Sequence, residues 1–156
     1  MTAHPFPGQT TQPDVAAAPQ PATAAASPLG ATATTARALT AASVLLSAVV
    51  HLELWALGMD AVPIIGPAFL VNAVGGLVIA LAVLLWRSAL PLLASIAFGV
   101  ATLGAYIMSI TVGLFGIQEE PGGVAATLSA VSEVTAVLFA LVALLAERRA
   151  GRAAQA

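Results

Sequence analysis

The chain has 156 residues, of which 60% are apolar and 8% charged, with a formal net charge of −2. Soluble domains are about 45–50% apolar and ~25% charged, so this sequence has too few polar side chains to clothe a water-facing surface and calls for an apolar solvent. Five scattered Arg and no Lys leave nucleic-acid binding without an electrostatic footprint, and the lack of Cys removes disulfides, thiolate metal sites and thiol catalysis.

Residues 1–36 are rich in Ala, Pro, Thr and Gln and hold six of the ten prolines. With no apolar period and few large hydrophobes, they read as a disordered tail. They do not read as a signal peptide, because no Lys or Arg precedes Arg37 and no short apolar run with a cleavage pattern follows Met1. Four stretches then meet the requirement of about 20 mostly apolar residues for crossing ~30 Å of hydrocarbon. They run from about Ala38 to Leu57, Ala68 to Trp86, Leu90 to Leu114 and Val124 to Leu145. The breaks carry Asp60, Pro63, Gly66 and Pro67; then Arg87, Ser88 and Pro91; then Gln118, Glu119, Glu120, Pro121 and two glycines. Pro67 and Pro91 belong in first turns, where a missing N–H is tolerated. The fold class is therefore all-α: a four-transmembrane-helix bundle over residues 37–147, with a basic tail at 148–156.

Arg37, Arg87, Arg148, Arg149 and Arg152 all fall on one side of these spans, and Asp60, Glu119 and Glu120 on the other. Basic residues stay on the cytoplasmic side, so both termini are expected inside the cytoplasmic membrane. Trp55 and Trp86 stand at span ends, where interfacial anchors belong. In lipid, helices associate through close backbone approach at small residues. Helix 3 offers Ala97, Ala101, Ala105, Ser109 and Gly113 at four-residue spacing, a seam for the bundle or for a dimer, with Gly99 and Gly104 as further small positions. Gly75, Gly76 and Ala80 on helix 2, and Ser132, Ala136 and Ala140 on helix 4, extend the pattern.

A charged group near the bilayer centre costs roughly 2.5–3.5 kcal/mol, so polar residues within spans call for an explanation. The candidates for a ligand or proton site are His51 and Glu53 in helix 1, Glu133 in helix 4, Asn72 in helix 2 and Tyr106 in helix 3. At 1.5 Å per residue, Glu133 lies ~13 Å below the outer end of its helix and the others shallower. All five thus gather in the outer half. His51 and Glu53 are ~200° apart around the helix, so only one of them faces the bundle centre. Each candidate also has a plain structural role open to it, as a hydrogen-bonded group between helices.

Known chemistries find little purchase. One His and two Glu on separate helices lack diagnostic metal-ligand spacing. No nucleophile motif, phosphate loop or dinucleotide fingerprint is present. Only His51 among the histidines lies in a span, which excludes haem held by two histidines of one chain. A proton relay through Glu133 and Tyr106 lacks polar groups in the inner half to complete it.

Two segments carry a resemblance: His51–Trp55 with Val62–Ala73, and Thr102–Tyr106 with Val112–Glu119. Over roughly residues 38–146 they look like a group of small four-helix integral membrane proteins of actinobacterial type. That group has no assigned activity, so the resemblance implies a fold and no catalytic residues. A looser similarity to DoxX-like membrane proteins rests on helix count. The expected partners are the bilayer and another membrane protein or a second copy; no cofactor is expected. The leading expectation is a non-enzymatic accessory or scaffold subunit. The alternatives are a ligand-, metal- or proton-handling site in the outer half, and a membrane oxidoreductase subunit using quinone or haem.

Overall fold

The computed structural model describes residues 28–156, and the expected disorder of residues 1–27 lies outside them. Four helices make up the described chain: α1 (Pro28–Ala56), α2 (Ile65–Leu85), α3 (Ala89–Thr111) and α4 (Val124–Ala153). All four are long and apolar enough to span a membrane, as the sequence predicts. At 1.5 Å per residue, α2 and α3, with 21 and 23 residues, measure about 32 and 35 Å. α1 and α4, with 29 and 30 residues, measure about 43 and 45 Å.

The extra length corrects two boundaries. Residues 28–36, expected in the tail, form the first turns of α1, and Arg148–Ala153, also expected as tail, continue α4. Pro28 opens α1, where its fixed φ suits a first helical position, and Ala33 and Ala36 are buried although no apolar period marks them. α3 ends at Thr111, three residues short of the expected Leu114. Gly113 at φ 84° stops it, sending its N–H to the Met108 carbonyl at 2.9 Å.

α1 packs against α2 and α4, α3 packs against α4, and α2 meets α3 only sparsely. Turns of a few residues make successive helices antiparallel, and the pairings Arg37–Glu147 and Ser47–Glu133 show that α1 and α4 also run antiparallel. The interior is built from small side chains. Ala36, Ala41, Val44, Ala80, Val83, Ala136, Ala140 and Ala143 form its core with Leu92. The large apolar residues, among them Val71, Val78, Leu84, Val100 and Leu138, point outward and are more than half exposed. This inside-out distribution suits lipid, which favours close backbone contact inside and is indifferent to large hydrophobes outside.

Two glycines set the closest approaches. A Cβ on Gly76 of α2 would lie 2.9 Å from the Ala48 Cβ of α1. A Cβ on Gly99 of α3 would lie 2.9 Å from the Val137 side chain and 3.0 Å from the Glu133 carbonyl of α4. The expected helix 3 seam does not make this contact. Ala97 and Ala101 are exposed, Ala105 is half-buried, and Gly113 is a helix terminator; only Ser109 is buried. Gly99 takes the seam's place.

One end of the bundle is locked by Arg37. Its buried guanidinium donates to the Val83 carbonyl (3.3 Å), the Trp86 carbonyl (2.7 Å), the Ser88 carbonyl (3.0 Å) and Glu147 Oε1 (2.6 Å). It thereby satisfies carbonyls at the C-terminus of α2, which have no helical partner, and ties α1, the α2–α3 turn and α4 together. Breaking a buried charged pair is strongly destabilising. Arg37→Met is expected to lower stability by about 3 kcal/mol in denaturant titrations in mixed micelles. The exposed Arg87→Met should stay within about 0.5 kcal/mol. In the same assay Gly99→Leu should cost about 1–3 kcal/mol through overpacking, while Ala97→Leu should be neutral; equal effects would restore the seam.

Candidate functional site

At the end of the bundle opposite Arg37, the sparse contact between α2 and α3 leaves a cavity of about 800 Å³. It reaches from Glu133 on α4 to Glu119 and Glu120 in the loop between α3 and α4, so it opens at the acidic end of the molecule. Its walls are chiefly apolar, with Phe69, Phe98, Tyr106 and Phe115 the aromatic side chains. Past its floor the interior is closed by fully buried Val44, Leu92, Ala136 and Ala140.

The loops at this end are shaped by local backbone demands. Gly66 must be glycine, because a Cβ there would lie 2.6 Å from the Met59 carbonyl in the short 3₁₀ turn Met59–Ala61. That contact seats the start of α2 beside the end of α1. Beyond α3, Leu114 and Ile117 exchange both backbone hydrogen bonds (2.7 and 3.0 Å) around Phe115 and Gly116, whose φ angles are 52° and 83°. Positive φ at both central residues is the pattern of a type I′ turn. The turn brings Leu114, Phe115 and Ile117 onto the cavity wall. The loop is tied back to α3 by Glu119, whose N–H donates to the Ser109 carbonyl (3.1 Å) and whose Oε2 accepts from the Ser109 hydroxyl (3.3 Å).

Four of the five predicted polar residues line this one cavity: His51, Asn72, Tyr106 and Glu133. Glu53 does not. It is exposed on the far face of α1, which settles the geometric choice between it and His51 in favour of the histidine. Glu133 is 1% exposed. Its Oε1 accepts from the hydroxyls of Ser129 (2.8 Å) and Ser47 (3.2 Å), while its Oε2 is buried with no partner. His51 Nδ1 lies 2.8 Å from the Ser47 carbonyl, one turn back on α1, and its ring packs on Phe69 at a centroid distance of 5.0 Å. Asn72 donates through Nδ2 to Thr102 Oγ1 (2.9 Å), and its Oδ1 is also buried and unpaired. Ser47 thus bridges His51 and Glu133, a role that sequence reading missed. Ser47 and Ser129 carry the signal in hindsight, since each stands four residues from its partner, one helical turn away.

Among the described residues no group of three or more His, Asp or Glu is placed to hold a metal ion. The two segments behind the family resemblance supply much of the cavity: Leu54, Phe69 and Asn72 from one, Thr102, Tyr106 and Phe115 from the other. No protein-family model, curated protein or solved structure matches the chain. Its fold and membrane class therefore rest on its own helices: it is a multi-pass, four-helix membrane protein.

The hydrogen bonds to Oε1 define which variants spare the fold. Glu133→Gln keeps an acceptor for both serine hydroxyls and should shift stability by no more than about 1 kcal/mol. The double change Ser47→Ala and Ser129→Ala strips a buried carboxyl of its donors and should cost about 2–4 kcal/mol. Thermal unfolding of the three proteins in one detergent checks the order.

Proposed function

We propose that this membrane protein binds a small amphipathic molecule in the cavity at its acidic end and does not pass it across the bilayer. The observation that carries this reading is Glu133, a fully buried residue of the cavity lining with one oxygen held by two serines and the other without a partner. A carboxyl at that depth costs roughly 2.5–3.5 kcal/mol, and two serine bonds offset only part of it. A chiefly apolar wall with a few convergent polar groups is the usual make-up of a small-molecule site. The closed floor beneath Glu133 supports binding and release through the acidic end alone. The segregation of all five arginines at the opposite end supports an extracytoplasmic opening, with both termini inside the cytoplasmic membrane.

A second reading, an accessory subunit of a larger membrane assembly, is favoured by Ala97, a small residue exposed on the outer face of α3. Small residues are where a partner helix approaches most closely. The likeness to small four-helix proteins of actinobacterial type supports the shared fold and is neutral between the two readings.

Native mass spectrometry of protein released gently from its own membranes separates them. A retained small mass on the wild type, lost in Ala105→Trp, which places a bulky ring on the cavity wall, is the result expected. Small mass retained equally in both proteins would place the ligand elsewhere. Additional protein mass lost in Ala97→Leu would favour the accessory subunit.

A further inference from the structure

We propose that the ligand class of this cavity is the lipophilic cation: an ammonium-type head seated on Glu133, with an apolar body along the α2–α3 wall. The inference rests on reading the cavity as a binding site, and it comes from the hydrogen bonds around it. Ser129 and Ser47 spend their hydroxyl hydrogens on Glu133 Oε1. Thr102 spends its own on the Phe98 carbonyl at 2.9 Å, which can only accept. Thr102 Oγ1 therefore receives the Asn72 bond, so the Asn72 amide nitrogen points to it and Oδ1 is left free. His51 Nδ1 faces the Ser47 carbonyl, which also only accepts, so the ring hydrogen sits on Nδ1 and Nε2 presents a lone pair in the neutral ring.

Four positions remain unfilled. Asn72 Oδ1 and His51 Nε2 accept, the second hydrogen of the Asn72 amide donates, and Glu133 Oε2 accepts in the ionised carboxylate that a bound cation would stabilise. The Tyr106 side chain, which also lines the cavity, carries a hydroxyl that adapts to either role. A ligand whose polar end carries only acceptors, such as a quinone, carboxylate or phosphate, meets lone pairs at three of these four positions. A ligand rich in N–H donors meets its complement at those three.

The charge distribution gives the same answer independently. No Arg or Lys lines the cavity, whereas Glu119, Glu120 and Glu133 do, and Glu53 and Asp60 stand at the same end of the bundle. All five arginines are at the far end. A buried carboxylate is best offset by a paired opposite charge, and a monovalent organic cation brings that charge together with an apolar body. A small inorganic cation does not fit, because it requires six or more oxygen ligands and these walls are chiefly hydrocarbon. Phe69 beside His51 adds an aromatic surface that attracts cations.

The test uses three fluorescent probes that share one dansyl-alkyl body and end in an ammonium, a hydroxyl or a carboxylate. Each is titrated into the full-length protein in phosphatidylcholine nanodiscs, with empty discs subtracted. The wild type should bind the ammonium probe at least about tenfold tighter than the hydroxyl probe, as a charge-assisted bond requires. Glu133→Gln should bring the two to parity, and Ala105→Trp should abolish binding of all three. If the hydroxyl or carboxylate probe binds the wild type as tightly as the ammonium probe and Ala105→Trp still removes it, the cavity binds ligands but the cation assignment is wrong. If no probe binds, or Ala105→Trp changes nothing, the binding reading fails and the cation assignment with it. The wild-type comparison among probes decides the question even if a variant folds poorly.

Discussion

The buried guanidinium of Arg37 holds three carbonyls and one carboxylate at a single point where α1, α2, α4 and the α2–α3 turn converge. In an apolar solvent a charge with four partners has nowhere better to go, so this end of the bundle has one arrangement. At the opposite end α2 and α3 are joined by one side-chain bond, Asn72 to Thr102 (2.9 Å), and otherwise meet sparsely. The cavity is the space that this loose contact leaves. The site and the lock are thus two ends of one geometry.

Within that geometry Glu133 is placed by its neighbours more than by its own helix. Gly99 lets α3 approach the Glu133 carbonyl, and Ser47 and Ser129 take one carboxyl oxygen from the two flanking directions. A further tie between Thr135 and Ser43 (3.1 Å) fixes the register of α4 on α1 one turn away. A membrane interior tolerates a buried carboxyl when it is satisfied or when it is used. The serines satisfy half of it.

Most of the fold is legible in the sequence because hydrophobic length is a strong signal: the four spans and, within a few residues, the breaks between them agree with the structure, while the outer ends of α1 and α4 do not. What was lost was whatever small side chains decide. Residues 28–36 hold a single large hydrophobe, Leu29, and read as a tail, yet Ala33 and Ala36 are buried in the extended α1. On helix 3 the regular four-residue seam set the expected contact, and Gly99, a further small position outside that spacing, makes it. In the site, depth along the helix gathers His51, Asn72, Tyr106 and Glu133, which line one cavity, but also admits Glu53, which does not, because depth says nothing about rotation. Angular spacing showed that His51 and Glu53 exclude one another; only packing against Phe69 and Ser47 chose between them. Arg37 was legible as a marker of sidedness, while its pairing with Glu147, 110 residues away, was not.

The inside-out distribution of side-chain size has an evolutionary consequence. On the outer faces Leu, Val, Ile and Phe are interchangeable to a hydrocarbon solvent, so those positions are free to drift without cost to the bundle. Inside, a single methyl at Gly76 or Gly99 meets another helix. The information that specifies this protein is therefore written in its alanines, serines and glycines, the residues that carry the least chemistry, and lineages that diverge widely in their bulky residues can still share one architecture.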